Sequence, residues 1–284
     1  MKVVLAGLFF IVLVAFVALL LALPTMWLWN GLLPGLFGLP VITFWQSLGL
    51  CLLALLGLQL FFVLRIALMG QIAPESTTFE RSQMWQIVQR HQRLPWRQEW
   101  VSLRAMAPSL QRAVIASEDG AFTQHGGIWW DSVEKAWDKN SKAQARAERQ
   151  ASQRPDKAPP PVKIVGGSTI TQQLAKNLFL AGERTLLRKG QEALITLMLE
   201  ALLPKSRILE IYLNSVEWGE GVFGAEAAAQ HYFRKPASAL SPWESARLAV
   251  MLPRPRYFEK LPQSPYLAER AEVILARMNS VVLP

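Results

Sequence analysis

The sequence predicts a mainly α-helical protein whose N-terminal part consists of membrane helices. Two observations support this fold class. The chain has 284 residues, and none between Lys2 and Arg65 is charged. Beyond Arg65, apolar residues recur at helical spacing almost throughout, whereas the apolar-polar alternation that is typical of strands is scarce. We therefore expect membrane helices followed by an α-rich domain.

Two apolar runs, at about 3–23 and 41–64, form the predicted membrane anchor, residues 1–67. Each run has the roughly 20 residues that a helix needs to cross a bilayer. The intervening segment 24–40 is rich in Pro, Gly and Trp, which predicts a turn near the membrane interface. A buried hairpin in a soluble protein is the alternative, but soluble cores rarely lack charge over 60 residues. The first run lacks a clear signal-peptide cleavage site, so we expect it to be retained.

The part of the chain from Arg65 onward is basic, with a net charge of +8. A basic, membrane-tethered domain favours anionic partners such as lipid headgroups, a phosphate-bearing substrate or nucleic acid. Nucleic acid is the least expected, because the most basic segment lacks interleaved aromatic residues. The only cysteine, Cys51, lies in the second apolar run, so no disulfide can form within the chain. The three histidines are scattered and lack metal-site spacing.

Sequence patterns divide the rest of the chain into a juxtamembrane connector, residues 68–103, and a helical domain, residues 104–284. Ser241, Pro242 and Glu244 predict a helix start with a capping box, and residues 264–278 begin similarly. Residues 204–216 follow a proline and carry apolar residues at helical spacing. The segment 138–163 is basic, rich in Ala and Gln, and ends near three prolines, which predicts a mobile loop. This loop is either a solvated connector or a substrate gate.

Two stretches carry the candidate chemistry. In "VIASEDGAFTQHGG", residues 114–127, an apolar run leads directly into the carboxylate pair Glu118 and Asp119. In "GGSTITQQLAKNLFL", residues 166–180, the spacing predicts a helix with Thr169 as N-cap and Gln172 at N3. One stripe of this helix would carry four polar residues: Thr169, Gln172, Gln173 and Lys176. The stripe is either a solvated face or a polar substrate site beside a helix N-terminus, which attracts anions.

A further acid, Glu192, follows Arg188 by four residues on a predicted helix. The two side chains can simply form a surface ion pair worth about 0.3–0.5 kcal/mol. The alternative is that Glu192 faces Glu118 across a cleft. Two separated carboxylates suit glycosyl transfer, because one removes a proton from the attacking hydroxyl while the other manages charge at the departing group.

Taken together, these motifs resemble glycosyltransferase family 51, the peptidoglycan polymerases, and most closely its monofunctional membrane-anchored form. The likeness covers roughly residues 98–260 in four ordered blocks: "EDGAFTQHGG", "GGSTITQQLAKN", "RKGQE" and "RILEIYLNSVEWGEGVFGAEAAAQHYF". At two places the sequence departs from the family. Trp129 stands where the family often has an acid, and the run at 3–23 looks like an additional membrane segment.

The resemblance implies a lysozyme-like helical domain with a small membrane-embedded jaw. The substrate would be lipid II, a disaccharide-pentapeptide on undecaprenyl pyrophosphate. Glu118 would be the general base on the acceptor 4-hydroxyl, and undecaprenyl pyrophosphate would leave with inversion at the donor. Burial of Glu118 would raise its pKa, and basic groups across the cleft would limit the rise.

The remaining site residues also follow from the resemblance. Glu192 would be the second catalytic acid, organising the cations that hold the pyrophosphate or a divalent ion such as Mg²⁺ or Mn²⁺. The resemblance does not by itself require a metal. The substrate-binding residues would be Asp119, Phe122, His125, Thr169, Gln173, Lys176, Asn177 and Arg188. Of these, Asp119 and His125 would fix the first loop rather than react.

The implied partners are lipid II, the growing glycan chain, membrane lipid and other cell-wall synthesis or division proteins, with no nucleic acid. The domain would lie on the periplasmic side of the bacterial inner membrane. Basic residues do not support this orientation, because Arg65, Arg81 and Arg90 directly follow the second apolar run. Two alternatives remain: a lysozyme-like or lytic enzyme that cleaves peptidoglycan, and a non-catalytic cell-wall scaffold.

Overall fold

A computed structural model describes residues 2–153, 167–180 and 185–284. The chain divides into two compact units, Met1–Leu68 and Met69–Pro284. The described part is mainly helical, with one small sheet of three short strands. The predicted mainly α fold class is therefore confirmed.

The first unit contains helix α1, Lys2–Phe37, and most of helix α2, Phe44–Met69. Both are long and apolar enough to cross a membrane, with mean hydropathies of 1.7 over Val14–Phe37 and 2.4 over Phe44–Met69. Many of their large apolar side chains are exposed, as expected for helices surrounded by lipid. These two helices are consistent with a membrane anchor.

The turn predicted at 24–40 is wrong for most of its length, because α1 continues to Phe37 through Pro24 and Pro34. A membrane helix tolerates proline when neighbouring groups satisfy the freed backbone. The chain reverses only after Gly38, which has φ +66°. Asn30 then fixes the reversal, since its side-chain amide bonds both the N–H and the C=O of Ile42, at 2.7 and 2.9 Å.

The second unit holds ten further helices among the described residues. They are α3 Thr78–His91, α4 Pro108–Glu118, α5 Trp130–Gln153, α6 Ile170–Phe179, α7 Leu186–Leu202, α8 Lys205–Ser215, α9 Ala225–Phe233, α10 Pro242–Met251, α11 Pro255–Phe258 and α12 Pro265–Met278. The strands are β1 Arg97–Gln98, β2 Glu217–Gly219 and β3 Val222–Phe223. β3 is central, parallel to β1 and antiparallel to β2.

Two predicted irregular segments differ from the structure. The connector predicted at 68–103 contributes α3, which packs on α6, and β1, which pairs with β3, so it belongs to the second unit. Within the predicted loop at 138–163, residues 138–153 continue helix α5. Ala, Gln, Lys, Arg and Glu are good helix formers, which explains the helix despite its low apolar content. Residues 154–163 lie outside the described residues.

The core of the second unit places the end of α4. Helix α4 packs against α10 and α12, and its residues Leu110, Val114 and Ile115 are buried. Hydrogen bonds tie α4 to α10 at both ends, from Ser109 Oγ to Ser245 Oγ at 2.9 Å and from Ser117 Oγ to the Ala249 carbonyl at 3.3 Å. Helix α6 packs against α7 and α8. The C-terminus of α4 is therefore held rigidly.

Several predicted helix starts are confirmed. The helix predicted at 204–216 is α8, and Ser241 forms a capping box with Glu244 at the start of α10. The similar start predicted before α12 is only partly right. Ser264 is its N-cap residue and Pro265 follows, but the Ser264 side chain makes no capping hydrogen bond. The third residue of that helix is Leu267, so no carboxylate is present to complete a capping box.

We predict that Ser241→Ala destabilises the protein by about 1 kcal/mol, because the start of α10 loses the hydroxyl that accepts from the Glu244 N–H. Ser264→Ala is the matched control and should change stability by less than about 0.5 kcal/mol. Thermal unfolding midpoints of the two variants provide the measurement. Equal losses would show that the Ser241 cap contributes nothing specific.

Candidate active site

Glu118 is the last residue of α4 and meets two other helices there. The Gln173 amide of α6 donates from Nε2 to Glu118 Oε2 at 2.8 Å. The same amide accepts at Oε1 from the Tyr212 hydroxyl of α8 at 3.0 Å. The carboxylate thus lies at the junction of α4, α6 and α8, and its position depends on all three.

Burial is the main cause of a raised pKa at Glu118, and the nearby charge of Asp119 adds to the rise. The hydrogen bond from Gln173 acts in the opposite direction and favours the ionised form. The predicted direction is therefore confirmed. The group that limits the rise is not one of those predicted, because the neutral Gln173 amide takes the role assigned to basic groups. A partly buried acid whose raised pKa is limited by a hydrogen-bond donor suits proton removal.

Asp119 is engaged on both oxygens. Oδ1 lies 2.8 Å from His125 Nε2, and Oδ2 accepts from the Ile170 N–H at 3.1 Å. The Gly127 N–H donates to His125 Nδ1 at 3.2 Å, so the proton of the neutral imidazole lies on Nε2 and points at Asp119. Asp119 therefore links the loop after α4 to the first residue of α6.

Thr169 completes this loop junction. Its side chain caps α6 through a reciprocal box with Gln172, as the sequence predicts, and its hydroxyl donates to the Gly127 carbonyl at 2.5 Å. The four residues of the predicted polar stripe therefore have three different environments. Thr169 and Gln172 are buried in the architecture, Gln173 holds Glu118, and Lys176 is exposed.

Phe122 and Asn177 are both buried. The Phe122 ring is 1% exposed and packs below Lys205, whose Nζ lies 4.4 Å from the ring centroid. Such an enclosed ring supports the loop. The substrate-binding roles expected of Phe122 and Asn177 stay predictions.

Helix α7 carries the second acid, Glu192, which is 3% exposed. Its Oε2 accepts from Arg188 at 2.8 Å and its Oε1 accepts from Lys189, so the pair considered from the sequence forms, but it is largely buried and not the surface pair described there. The Arg188 Nε is buried and has no hydrogen-bond partner among the described residues. Buried donors are usually paired, so this nitrogen is suited to an acceptor on a ligand.

A divalent ion beside Glu192 does not fit these contacts. Both carboxylate oxygens already accept from cations, which a metal would have to displace. Within residues 2–153, 167–180 and 185–284, no group of three or more His, Cys, Asp or Glu side chains could hold a metal ion. The chemistry of this site is therefore derived from its side chains alone.

The structure places the predicted residues in two neighbouring hydrogen-bonded groups, Glu118 with Gln173 and Asp119 with His125 beside Thr169, while Glu192 and Arg188 lie on α7, which packs against α6. Sequence reasoning missed two contributors, Ser117 and Tyr212. Tyr212 occupies a buried position on α8 and looks like an ordinary core residue in the apolar pattern. Its only signal is that a buried tyrosine hydroxyl usually needs a partner.

Comparisons with known proteins agree with this arrangement. A family profile described as Transglycosylase matches residues 86–279. A biosynthetic peptidoglycan transglycosylase of Burkholderia thailandensis is 51% identical over 231 residues, which cover 81% of this chain and 84% of the relative. Proteins of the same name from Burkholderia pseudomallei and a Janthinobacterium species are 50% and 46% identical; the latter match covers 86% of this chain and 97% of the relative.

The loop geometry generates a stability prediction at Gly127, which has φ +87°. A Cβ there would lie 2.7 Å from Thr196 Cγ2 and 2.8 Å from Glu200 Cγ. Gly127→Ala should therefore cost at least about 2 kcal/mol, from backbone strain and overpacking together. Gly126→Ala is the control, because its Cβ would meet nothing within 4 Å. If the two variants unfold at the same temperature, the close approach at Gly127 is not a constraint.

Proposed function

The chain belongs to the transglycosylase family and is a peptidoglycan glycosyltransferase, and from this premise we propose that it polymerises lipid II into glycan strands. The observation that carries the proposal is Glu118, a partly buried carboxylate whose pKa is raised by burial and whose Oε2 accepts a hydrogen bond from Gln173 Nε2 at 2.8 Å. A hydroxyl nucleophile needs such a base at neutral pH.

In the proposed reaction, Glu118 takes the proton from the 4-hydroxyl of the acceptor N-acetylglucosamine. The oxygen attacks the anomeric carbon of the donor N-acetylmuramic acid from the side opposite the phosphate. A new glycosidic C–O bond forms while the bond from the anomeric carbon to the phosphate oxygen breaks. Undecaprenyl pyrophosphate leaves with the electron pair, so the configuration inverts and the proton ends on Glu118.

Cations near α6 and α7 would stabilise the charge on the departing pyrophosphate. Arg188 has a buried Nε available to an acceptor, and Lys176 projects from the exposed side of α6. Charge-assisted hydrogen bonds from such groups are the strong ones for phosphate. We assign Glu192 the role of holding Arg188 and Lys189 in place, since it pairs with both. Gln173, predicted as a substrate-binding residue, donates its amide to Glu118.

The first test replaces the proposed base. Glu118→Gln keeps the shape of the side chain and removes its basicity, so lipid II polymerisation should fall by about 10²–10⁴-fold. Binding of lipid II should persist, because the pyrophosphate contacts lie on other residues. The matched variant Asp119→Asn should lose less activity, since Asp119 is engaged with His125 and Ile170.

An assay with lipid II as the only substrate also distinguishes polymerisation from the two alternatives, a lytic enzyme and a non-catalytic scaffold. A lytic enzyme would release fragments from existing peptidoglycan and make no polymer, whereas a scaffold would do neither. If Glu118→Gln polymerises normally while Asp119→Asn is inactive, the assignment within the carboxylate pair is reversed. Normal activity in both variants would refute the proposed chemistry.

Lys176→Ala should lower polymerisation by roughly 10- to 100-fold, because a charge-assisted hydrogen bond to phosphate contributes about 1.5–3 kcal/mol. The protein should remain folded, since Lys176 is exposed. Lys260→Ala, which removes another exposed lysine, is the control for the change in net charge. If Lys176→Ala polymerises lipid II as fast as the unmodified protein, this face of α6 is an ordinary solvated surface and not a phosphate site.

We also place residues 65–284 on the periplasmic side of the inner membrane, because lipid II is consumed there. Two spanning helices would then put the N-terminus on the same side. The prediction is that alkaline phosphatase, which folds only in an oxidising compartment, is active when fused after Pro284. If the fused alkaline phosphatase is inactive and a reporter that works only in the cytoplasm is active at the same position, this orientation is wrong.

A further inference from the structure

The side-chain amide of Gln173 lies between two polar groups that impose different demands on it. Its Nε2 donates to Glu118 Oε2 at 2.8 Å, and its Oε1 accepts from the Tyr212 hydroxyl at 3.0 Å. An ionised carboxylate only accepts hydrogen bonds, so the amide edge that faces it must be the NH₂ group. The amide oxygen then faces Tyr212, whose hydroxyl must donate.

We propose that Tyr212 is a positioning residue: its hydroxyl locks the Gln173 amide in the orientation that donates to Glu118 and so keeps Glu118 ready to accept a proton. This inference rests on the proposed function, in which Glu118 is the general base. It deepens that function by assigning a task to a buried side chain that touches neither substrate nor the carboxylate itself.

The surroundings of Tyr212 favour a permanent donor. The residue is 1% exposed. Burial, together with the charges of Glu118 and Asp119, raises the pKa of Tyr212 well above its usual value, so the phenol keeps its proton. The charged groups that act on the Tyr212 hydroxyl are these two acids, and Glu118 also accepts from the Gln173 amide. Asp119 is already engaged with His125, and α10 contributes the Ala249 carbonyl to Ser117.

The lock has a consequence after each transfer. Glu118 then carries a proton. A proton on Oε1 leaves Oε2 a neutral acceptor, so the hydrogen bond from Gln173 loses the charge assistance that the carboxylate gave it, whereas a proton on Oε2 would face the NH₂ group of Gln173, donor against donor. Rotating the amide would let its oxygen accept from the protonated acid. The same rotation would turn the NH₂ group toward Tyr212 and leave the phenol proton without its acceptor inside a buried site. Unpaired buried donors are costly. The Tyr212 contact therefore opposes rotation, destabilises the protonated acid and favours release of the proton to water before the next addition.

The test is the pH dependence of kcat/KM for lipid II polymerisation by the full-length protein. Tyr212→Phe keeps the ring and removes the hydroxyl, so the amide can rotate and stabilise protonated Glu118. The pKa of Glu118 then rises, so the base stays protonated to a higher pH. The acidic limb of the pH profile, where kcat/KM falls because Glu118 is protonated, therefore moves to higher pH. The expected displacement is roughly half to one pH unit, the equivalent of one hydrogen bond.

Two comparisons separate this role from loss of core structure. Tyr232→Phe also removes a tyrosine hydroxyl, partly buried, which donates to the Trp218 carbonyl at 2.8 Å, and it should leave the acidic limb in place. Gln173→Ala should itself move the limb upward, because Glu118 loses its donor. Adding Tyr212→Phe to Gln173→Ala should cause no further shift, since the hydroxyl acts only through the amide.

Three outcomes would overturn the role of Tyr212. Activity in Tyr212→Phe could fall equally at every pH, the limb could stay in place, or the same shift could persist in the Gln173→Ala background. Failure of the proposed function looks different, because Glu118→Gln would then polymerise lipid II normally. An unchanged limb in Tyr212→Phe together with an inactive Glu118→Gln removes only the inference about Tyr212.

Discussion

The hydrogen bond from Gln173 Nε2 to Glu118 Oε2 is the interaction on which the rest of the site depends. It joins the last residue of α4 to the second turn of α6, and through Tyr212 it extends to α8. Without that donor, burial alone would favour the protonated acid, which cannot accept a proton. The packing of α4 against α10 and α12 matters for function because it holds one partner of this bond in place.

A second group of contacts fixes the loop that follows. Asp119 connects His125 to the start of α6, and Thr169 connects the same start to Gly127. The chain can approach so closely at Gly127 only because that residue has no side chain.

The raised pKa of Glu118 has a cost in the free energy of unfolding. A carboxyl with a raised pKa in the folded state adds stability at low pH, and that contribution is lost as the pH rises through the raised value.

The sequence predicts the features that depend on local patterns. Helix starts at Thr169 and Ser241 follow from residue spacing, and the ion pair of Arg188 with Glu192 follows from helical periodicity. Predictions failed where context outweighs local preference. Pro24 and Pro34 do not break α1, because a long apolar helix tolerates them. The contact of Tyr212 with Gln173 joins residues 39 apart, and no local pattern encodes it.

The central claim, that Glu118 is a desolvated base kept ionisable by its neighbours, can be measured without substrate. Glutamate labelled with carbon-13 at its carboxyl would be incorporated into the full-length protein and titrated by NMR, with Glu118→Gln identifying the resonance of Glu118. This account predicts that the resonance titrates above the usual glutamate pKa of about 4.3. A Glu118 resonance that titrates at or below that value would contradict the account, because the carboxyl would then be an ordinary solvated acid.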